Sequence, residues 1–171
     1  MTKHMLKEAL MELLEQQELV NISVTAICEA ADVHRSTFYK YYKDQADLLR
    51  DLEQDYLDLV PLPTQDLGRQ SEEELFAETT AFFDYVKRNE RAFRVLFGES
   101  TSSDFAARLI GLLCSKYADS REGDGAASYY AHLYMANGTV GMLRDWVNSS
   151  FPVSSREVAE IMYRLSVRVT Q

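Results

Sequence analysis

Eleven consecutive residues, Val33 to Lys43, read V-H-R-S-T-F-Y-K-Y-Y-K. They hold three cations (Arg35, Lys40 and Lys43), with His34 beside them and no carboxylate. Ser36, Thr37, Tyr39 and Tyr41 add hydroxyls. Guanidinium and ammonium groups pair with phosphate oxygens, Arg also reads guanine edges, and hydroxyls serve either role. The chemistry this window offers is recognition of a polyanion, without bond making or breaking.

Chemistry of other kinds finds little support. There is no G-x-S-x-G, P-loop, H-E-x-x-H or convincing pair of carboxylates, so the expectation is a protein that is not an enzyme. Cys28 and Cys114 lie far apart and lack C-x-x-C spacing, which argues against a zinc knuckle or disulfide scaffold. His4, His34 and His132 do not cluster in sequence. No metal or other cofactor is expected. The run Glu72 to Glu74 reads as the first turn of a helix, where the dipole favours anions.

The elements that must position the window are helices. Met5, Leu6, Ala9, Leu10, Leu13 and Leu14 predict a helix over 3–16, capped by Thr2. Ser23 predicts the cap of a second helix over 24–31, with Ile22 and Ile27 as a hydrophobic staple. Its inward stripe is Ile27, Ala30 and Ala31. Asp32-Val33 is a tight turn, followed by a third helix over 35–41 held by Val33, Phe38 and Tyr42. Asp44, with Asp47 three residues on, opens a fourth helix striped by Leu48, Leu49, Leu52, Tyr56 and Leu59. It stops before Pro61-Leu62-Pro63. A helix from Ser71 with Leu75, Phe76, Thr79, Phe82, Phe83 and Val86 on its apolar face follows, then helices over about 90–97, 103–117 and 126–149, with a polar loop over 119–125. Ser154 caps the last, which carries Val158, Ile161, Met162, Leu165 and Val169.

Three short helices with a tight turn between the second and third make a helix-turn-helix, whose third helix enters the DNA major groove. The net charge of −9 argues against nucleic acid when taken whole. Its distribution reverses that: the window carries +3 and the other 160 residues carry −12. No stretch approaches the ~20 apolar residues of a membrane span. No signal-peptide core is evident in Met1 to Gln17. The expectation is a cytoplasmic protein with no membrane partner.

The segment Ile22 to Leu49 resembles the DNA-binding domain of the TetR family of transcriptional regulators. The residues that carry the likeness are Val24-Thr25-Ala26-Ile27, Ala30-Ala31-Asp32-Val33, Ser36-Thr37-Phe38-Tyr39 and Tyr42 to Leu49. Phe82 to Phe97, and Asn137 to Trp146 followed by Phe151-Pro152, resemble one branch of that family, the DhaS-like regulators. The resemblance implies an all-α fold with an N-terminal three-helix domain over 1–48 that binds DNA. A helical ligand-binding and dimerisation domain over 49–171 would follow, with the helix over 49–60 as connector. It implies that Thr37 and Tyr39 bind phosphates, and that Arg35, Ser36 and Thr25 line the groove or read bases. Lys43 would lie near the DNA backbone, while Phe38 and Tyr42 seat the recognition helix. His34, Lys40, Tyr41 and Gln45 complete the candidate interface. The chain departs from the family pattern at Asp32, where Gly is usual, at His34, where Ser is usual, and at Gln45, where Lys is common.

For the second half, an apolar pocket between helices would draw on Phe82, Tyr130, Tyr134 and Trp146. Small residues on the 126–149 helix and the stripe on the last helix predict close packing against a symmetry mate. The candidate homodimer interface is Ala131, Gly138, Val158, Ile161 and Leu165. The function implied is a dimeric repressor of a palindromic double-stranded operator, released by a small-molecule effector. The alternative is a regulator or adaptor whose C-terminal domain binds a protein coactivator, with weak DNA binding on its own.

Overall fold

The structure, a computed structural model, describes residues 1–62, 71–98, 104–118 and 126–169. The segment Pro61 to Gln70 reads as a hinge between the two halves of the sequence; its residues 63–70 lie outside the described residues, as does the expected loop over 119–125. Among the described residues the regular elements are all helical: α1 (Thr2–Leu14), a 3₁₀ turn (Leu19–Asn21), α2 (Val24–Ala30), α3 (Arg35–Phe38), α4 (Gln45–Leu59), α5 (Glu72–Arg88), α6 (Glu90–Phe97), α7 (Phe105–Ala118), α8 (Ala126–Asn148) and α9 (Ser155–Val169). None of these helices is long and apolar enough to cross a membrane.

The chain divides into two compact units. The first comprises Met1–Leu59 with Arg91–Ser103, and the second Val60–Glu90 with Asp104–Gln171. The expected boundary at 48/49 therefore falls inside α4, which stays whole in the first unit. α6 also joins the first unit, because its apolar face has a place there. Phe93 is fully buried and meets Tyr56 of α4 edge-on at 6.1 Å. Arg91 pairs with Glu8 at 3.3 Å and with Glu15, both on α1.

The first core is built from Leu6, Leu10 and Leu14 of α1, Ile22 and Ile27, Phe38, and Leu48 and Leu52 of α4. α1 packs on α2 and α4, and α2 on α3. Ser23 caps α2, accepting a 3.1 Å bond from the Ala26 amide. Asp44 caps α4 through the Asp47 amide at 2.8 Å, and Asp47 reaches back to the Lys43 amide at 3.0 Å. This reciprocal pair satisfies donors that the first helical turn leaves open.

Several boundaries differ from expectation. Thr2 is itself helical, the cap position is Met1, and no side chain caps α1. Ala30 is exposed, because the core takes Cys28 and Ala31 on the adjoining face of α2. The α-helical part of α3 ends at Phe38, before the expected Tyr41. Beyond it, Lys40 bonds to Thr37 and Tyr41 to Phe38, a tightening that swings Tyr42 into the core. Leu59, expected on the inward stripe of α4, is 70% exposed at the last turn.

In the second unit α5 packs on α9, α7 on α8, and α8 on α9. Ser71 and Glu74 form a full capping box at the start of α5. Ser154 and Glu157 repeat it at α9, with bonds of 2.8 and 3.2 Å. The core gathers Phe82, Phe83 and Val86 with Leu109, Leu113, Val140, Leu143, Trp146 and Val158.

Candidate nucleic-acid interface

The turn between α2 and α3 is built from backbone groups. The Val33 amide bonds to the Cys28 carbonyl at 2.9 Å, and the Asp32 amide to the Glu29 carbonyl at 3.3 Å. These are the two bonds of a Schellman motif. Its left-handed position is Asp32, at φ 51°. Aspartate tolerates that region better than most residues, which is why the turn forms without the usual Gly.

α3 then starts at His34, whose backbone is extended and whose side chain makes no capping bond. The helix amides find a partner all the same, since Thr37 and Phe38 both donate to the His34 carbonyl. Phe38 is fully buried, and its ring holds Tyr39 edge-on at 5.5 Å and Tyr42 at 5.8 Å. Burying one face of so short an element leaves its other face in solvent. Thr25, His34, Arg35, Ser36, Tyr39, Lys40, Tyr41 and Lys43 are all exposed, and Thr37 and Gln45 are half-buried.

Interaction with the Tyr39 hydroxyl, one turn along, raises the Arg35 guanidinium above its usual range. Thr25, Cys28, Glu29, Asp32, Val33, His34 and Arg35 line one shallow depression between α2 and α3. The structure thus brings Thr25 next to His34 and Arg35. It also brings Glu29 and Asp32 there, two carboxylates that the acid-free window did not reveal. Cys28 is buried, and burial pushes its thiol up despite the opposing charge of Arg35. It is not a thiolate, and nothing favours nucleophilic chemistry at it.

A buried polar group lies behind this face. Tyr42 is 4% exposed, yet its hydroxyl donates a 2.6 Å bond to Asp51 of α4. Lys7 of α1, 7% exposed, pairs with Asp51 at 3.0 Å and Asp55 at 2.5 Å. Burial pushes the Asp51 carboxyl up, but the Tyr42 and Lys7 bonds and the charges of Lys7 and Lys3 outweigh it and hold it at about 2. Burial, and then the bond to Asp51, raises the Tyr42 phenol. A Lys on α1 and two carboxylates one turn apart on α4 are separated by more than 40 residues, so no local pattern marks them.

The four candidate effector residues differ in burial. Phe82 is fully buried and Trp146 is 3% exposed. They are linked through Phe83, edge-on to each at 5.2 and 5.4 Å. The Trp146 indole N–H donates to the Val153 carbonyl at 3.0 Å, and its ring meets Phe151 at 4.6 Å. Burial and these ring contacts place both residues in the core of the second unit. Tyr130 and Tyr134 instead stand out from α8, 65% and 69% exposed. Tyr134 lines an open cleft of about 190 Å³ with Met135, Gly138, Thr139, Met142, Met162 and Leu165.

That cleft draws in part of the candidate dimer set. Gly138, Ile161 and Leu165 are exposed and Ala131 is half-buried. Val158 is 4% exposed and belongs to the protomer's own core, so it is not free to meet a partner. Among the described residues Gly138 and Gly141 of α8 make no close contact within the protomer. A Cβ added at Gly138 or Gly141 would meet nothing within 4 Å. Among the described residues no cluster of His, Cys, Asp or Glu is arranged to hold a metal ion.

Comparison with known proteins agrees with this architecture. Residues 73–167 match the family model of a transcriptional regulator C-terminal region, TetR_C_8, over more than half of the chain. A comparison with curated protein sequences gives no match. Among solved structures, the chain is similar to the dihydroxyacetone kinase operon activator DhaS (16% identity, 98% of this chain and 95% of that one, TM-score 0.67). It is also similar to NalD of Pseudomonas aeruginosa, the secondary repressor of the MexAB-OprM multidrug efflux pump (18%, 98% and 94%, 0.69). A third is FadR of Bacillus subtilis in complex with stearoyl-CoA (17%, 96% and 97%, 0.68). At these identities the likeness is one of fold, which is the all-helical fold described above. With the C-terminal family model matched and a helix-turn-helix at its head, the chain belongs to the TetR family of transcriptional regulators.

Proposed function

We propose that the protein is a dimeric, cytoplasmic repressor that grips a palindromic operator through Thr25 and the segment from His34 to Lys43, with Gln45 at the edge. The observation that carries this reading is the exposed face of α3 and of the turn that follows it. Arg35, Lys40 and Lys43 are exposed on the same segment as the hydroxyls of Ser36, Thr37, Tyr39 and Tyr41, while Phe38 is buried and anchors the segment. Arg35 and Thr25 suit base edges, and Tyr39, Thr37 and the lysines suit phosphates. The acidic remainder of the chain repels DNA elsewhere, which favours a single docking orientation.

The exposed face of α8 and α9 supports the dimer. Ile161 and Leu165 are large exposed apolar residues, and among the described residues a Cβ added at Gly138 or Gly141 would meet nothing within 4 Å. Two-fold pairing would place two recognition segments about one DNA turn apart. A small molecule that prefers the non-binding spacing of the two heads would then release the operator.

A second reading is favoured by one observation: Phe82 and Trp146 are buried in the core, and the cleft at Tyr134 is open. An open surface fits a protein coactivator as well as it fits a small effector. Selection from random duplex DNA with the purified protein separates the two. Enrichment of a two-fold repeat supports the first reading, and no enrichment at low salt leaves the second.

A further inference from the structure

Phenylalanine would fill the space of the Tyr42 ring, yet the chain buries a hydroxyl there and gives it a charged partner. The ring packs on Phe38, and the ammonium of Lys3 stands over it at 5.3 Å. The hydroxyl meets Asp51 Oδ2 at 2.6 Å. Lys7 Nζ closes the arrangement from α1, bonding the Asp51 carboxylate at 3.0 Å, the Asp51 carbonyl at 3.1 Å and Asp55 at 2.5 Å. Three pieces of backbone converge on one carboxylate: α1, α4 and the end of the recognition segment. Apolar burial is non-directional and tolerates small rotations. A short bond to an ionised acceptor has a narrow angular range and roughly twice the strength of a neutral one.

We propose that Tyr42, Asp51 and Lys7 are positioning residues for DNA recognition, a polar latch that sets the angle of the Arg35–Lys43 segment against α1 and α4. The inference rests on the reading of that segment as the DNA interface. None of the three touches DNA in this account; they act through Arg35, Tyr39 and their neighbours. Only two residues separate Tyr42 from Tyr39, so a shift of the anchor moves the phosphate-binding and base-reading groups together. The carboxylate at the centre stays ionised far below neutral pH, so the latch holds across the physiological range.

The test uses Tyr42→Phe in the full chain, which keeps the ring and deletes the hydroxyl. Its preference for a duplex recovered by selection, over a random duplex, is measured at several salt concentrations. Melting temperature and amide exchange are read alongside. The latch predicts that this preference falls about tenfold, the size of one lost bond to a charged group. The salt slope stays at the wild-type value, because no phosphate contact is removed. Amides of Tyr39 to Tyr42 exchange faster, while those of α1 keep their protection. Unchanged preference and exchange, or a lower melting temperature with both unchanged, overturns the latch. Should Tyr42→Phe fail to fold, Lys7→Met carries the same predictions through Asp51. Should the wild type select no duplex, the DNA reading fails by itself. The exchange measurement needs no DNA and still decides whether the hydroxyl orders the segment.

Discussion

The Tyr42 hydroxyl donates to the Asp51 carboxylate at 2.6 Å, joining the end of the recognition segment to the middle of α4. Its pH dependence follows from the direction of the Asp51 shift. The carboxyl lies at 3.8 when unperturbed and at about 2 in the folded chain. A lowered acid stabilises the fold fully above its unfolded value and loses that contribution as pH falls through the folded one. Asp51→Asn should therefore be less stable than the wild type at pH 7, and the gap should close between about pH 4 and 2. Urea unfolding followed by circular dichroism across that range checks it. A gap that does not change with pH would show that the carboxylate charge contributes nothing.

Asp32 holds the left-handed position of the Schellman turn at φ 51°. Glycine has no Cβ to crowd the following carbonyl there. Asp32→Gly should stabilise the first unit by up to ~1 kcal/mol, offset in part by the greater freedom of glycine in the unfolded chain. Urea titration of both proteins measures the difference. The substitution also removes a carboxylate from the depression beside Arg35, so DNA affinity should rise with it.

Much of this head was legible from sequence because its signals are local. Ser23, the Asp44–Asp47 pair, the Ile22–Ile27 staple and the Asp32 turn each act within a few residues. The partners of Lys7 and Arg91 were not legible, since long-range ion pairs leave no periodic trace. Leu59 shows the converse limit: helical spacing places it on the stripe, but the last turn of α4 leaves it in water. Phe82 and Tyr134 look alike as aromatic candidates, and only packing separates the filled core from the open cleft.

Trp146 tests the assignment of that core. It packs against Phe83 and Phe151 and donates to Val153. Trp146→Ala should cost about 3–5 kcal/mol, the range for a large buried aromatic. Tyr134→Ala, at an exposed position, should stay within about 0.5 kcal/mol for the isolated chain. Chemical denaturation of the two variants distinguishes core from surface. Equal losses would contradict the division drawn between them.

Ile161 and Leu165 lie one turn apart on α9, 46% and 48% exposed. A charge at either would be buried without a partner if this face pairs with its symmetry mate. Ile161→Glu and Leu165→Glu should each shift the protein from dimer to monomer at micromolar concentration, with the helical content kept. Sedimentation velocity reads the shift. A wild type that sediments as a monomer at that concentration defeats the dimer.

In a chain of net charge −9, one small cationic face is the part proposed to recognise DNA. Its most direct test is the salt dependence of binding to a selected duplex and to a random one, for the wild type, Arg35→Ala and Lys40→Ala. The wild type should bind sequence-selectively with a steep salt slope. Lys40→Ala should flatten that slope by about one unit on every sequence, and Arg35→Ala should cost about 1–3 kcal/mol and relax the preference. Binding by the wild type that is equally weak on both duplexes at low salt, and unmoved by either substitution, would contradict it.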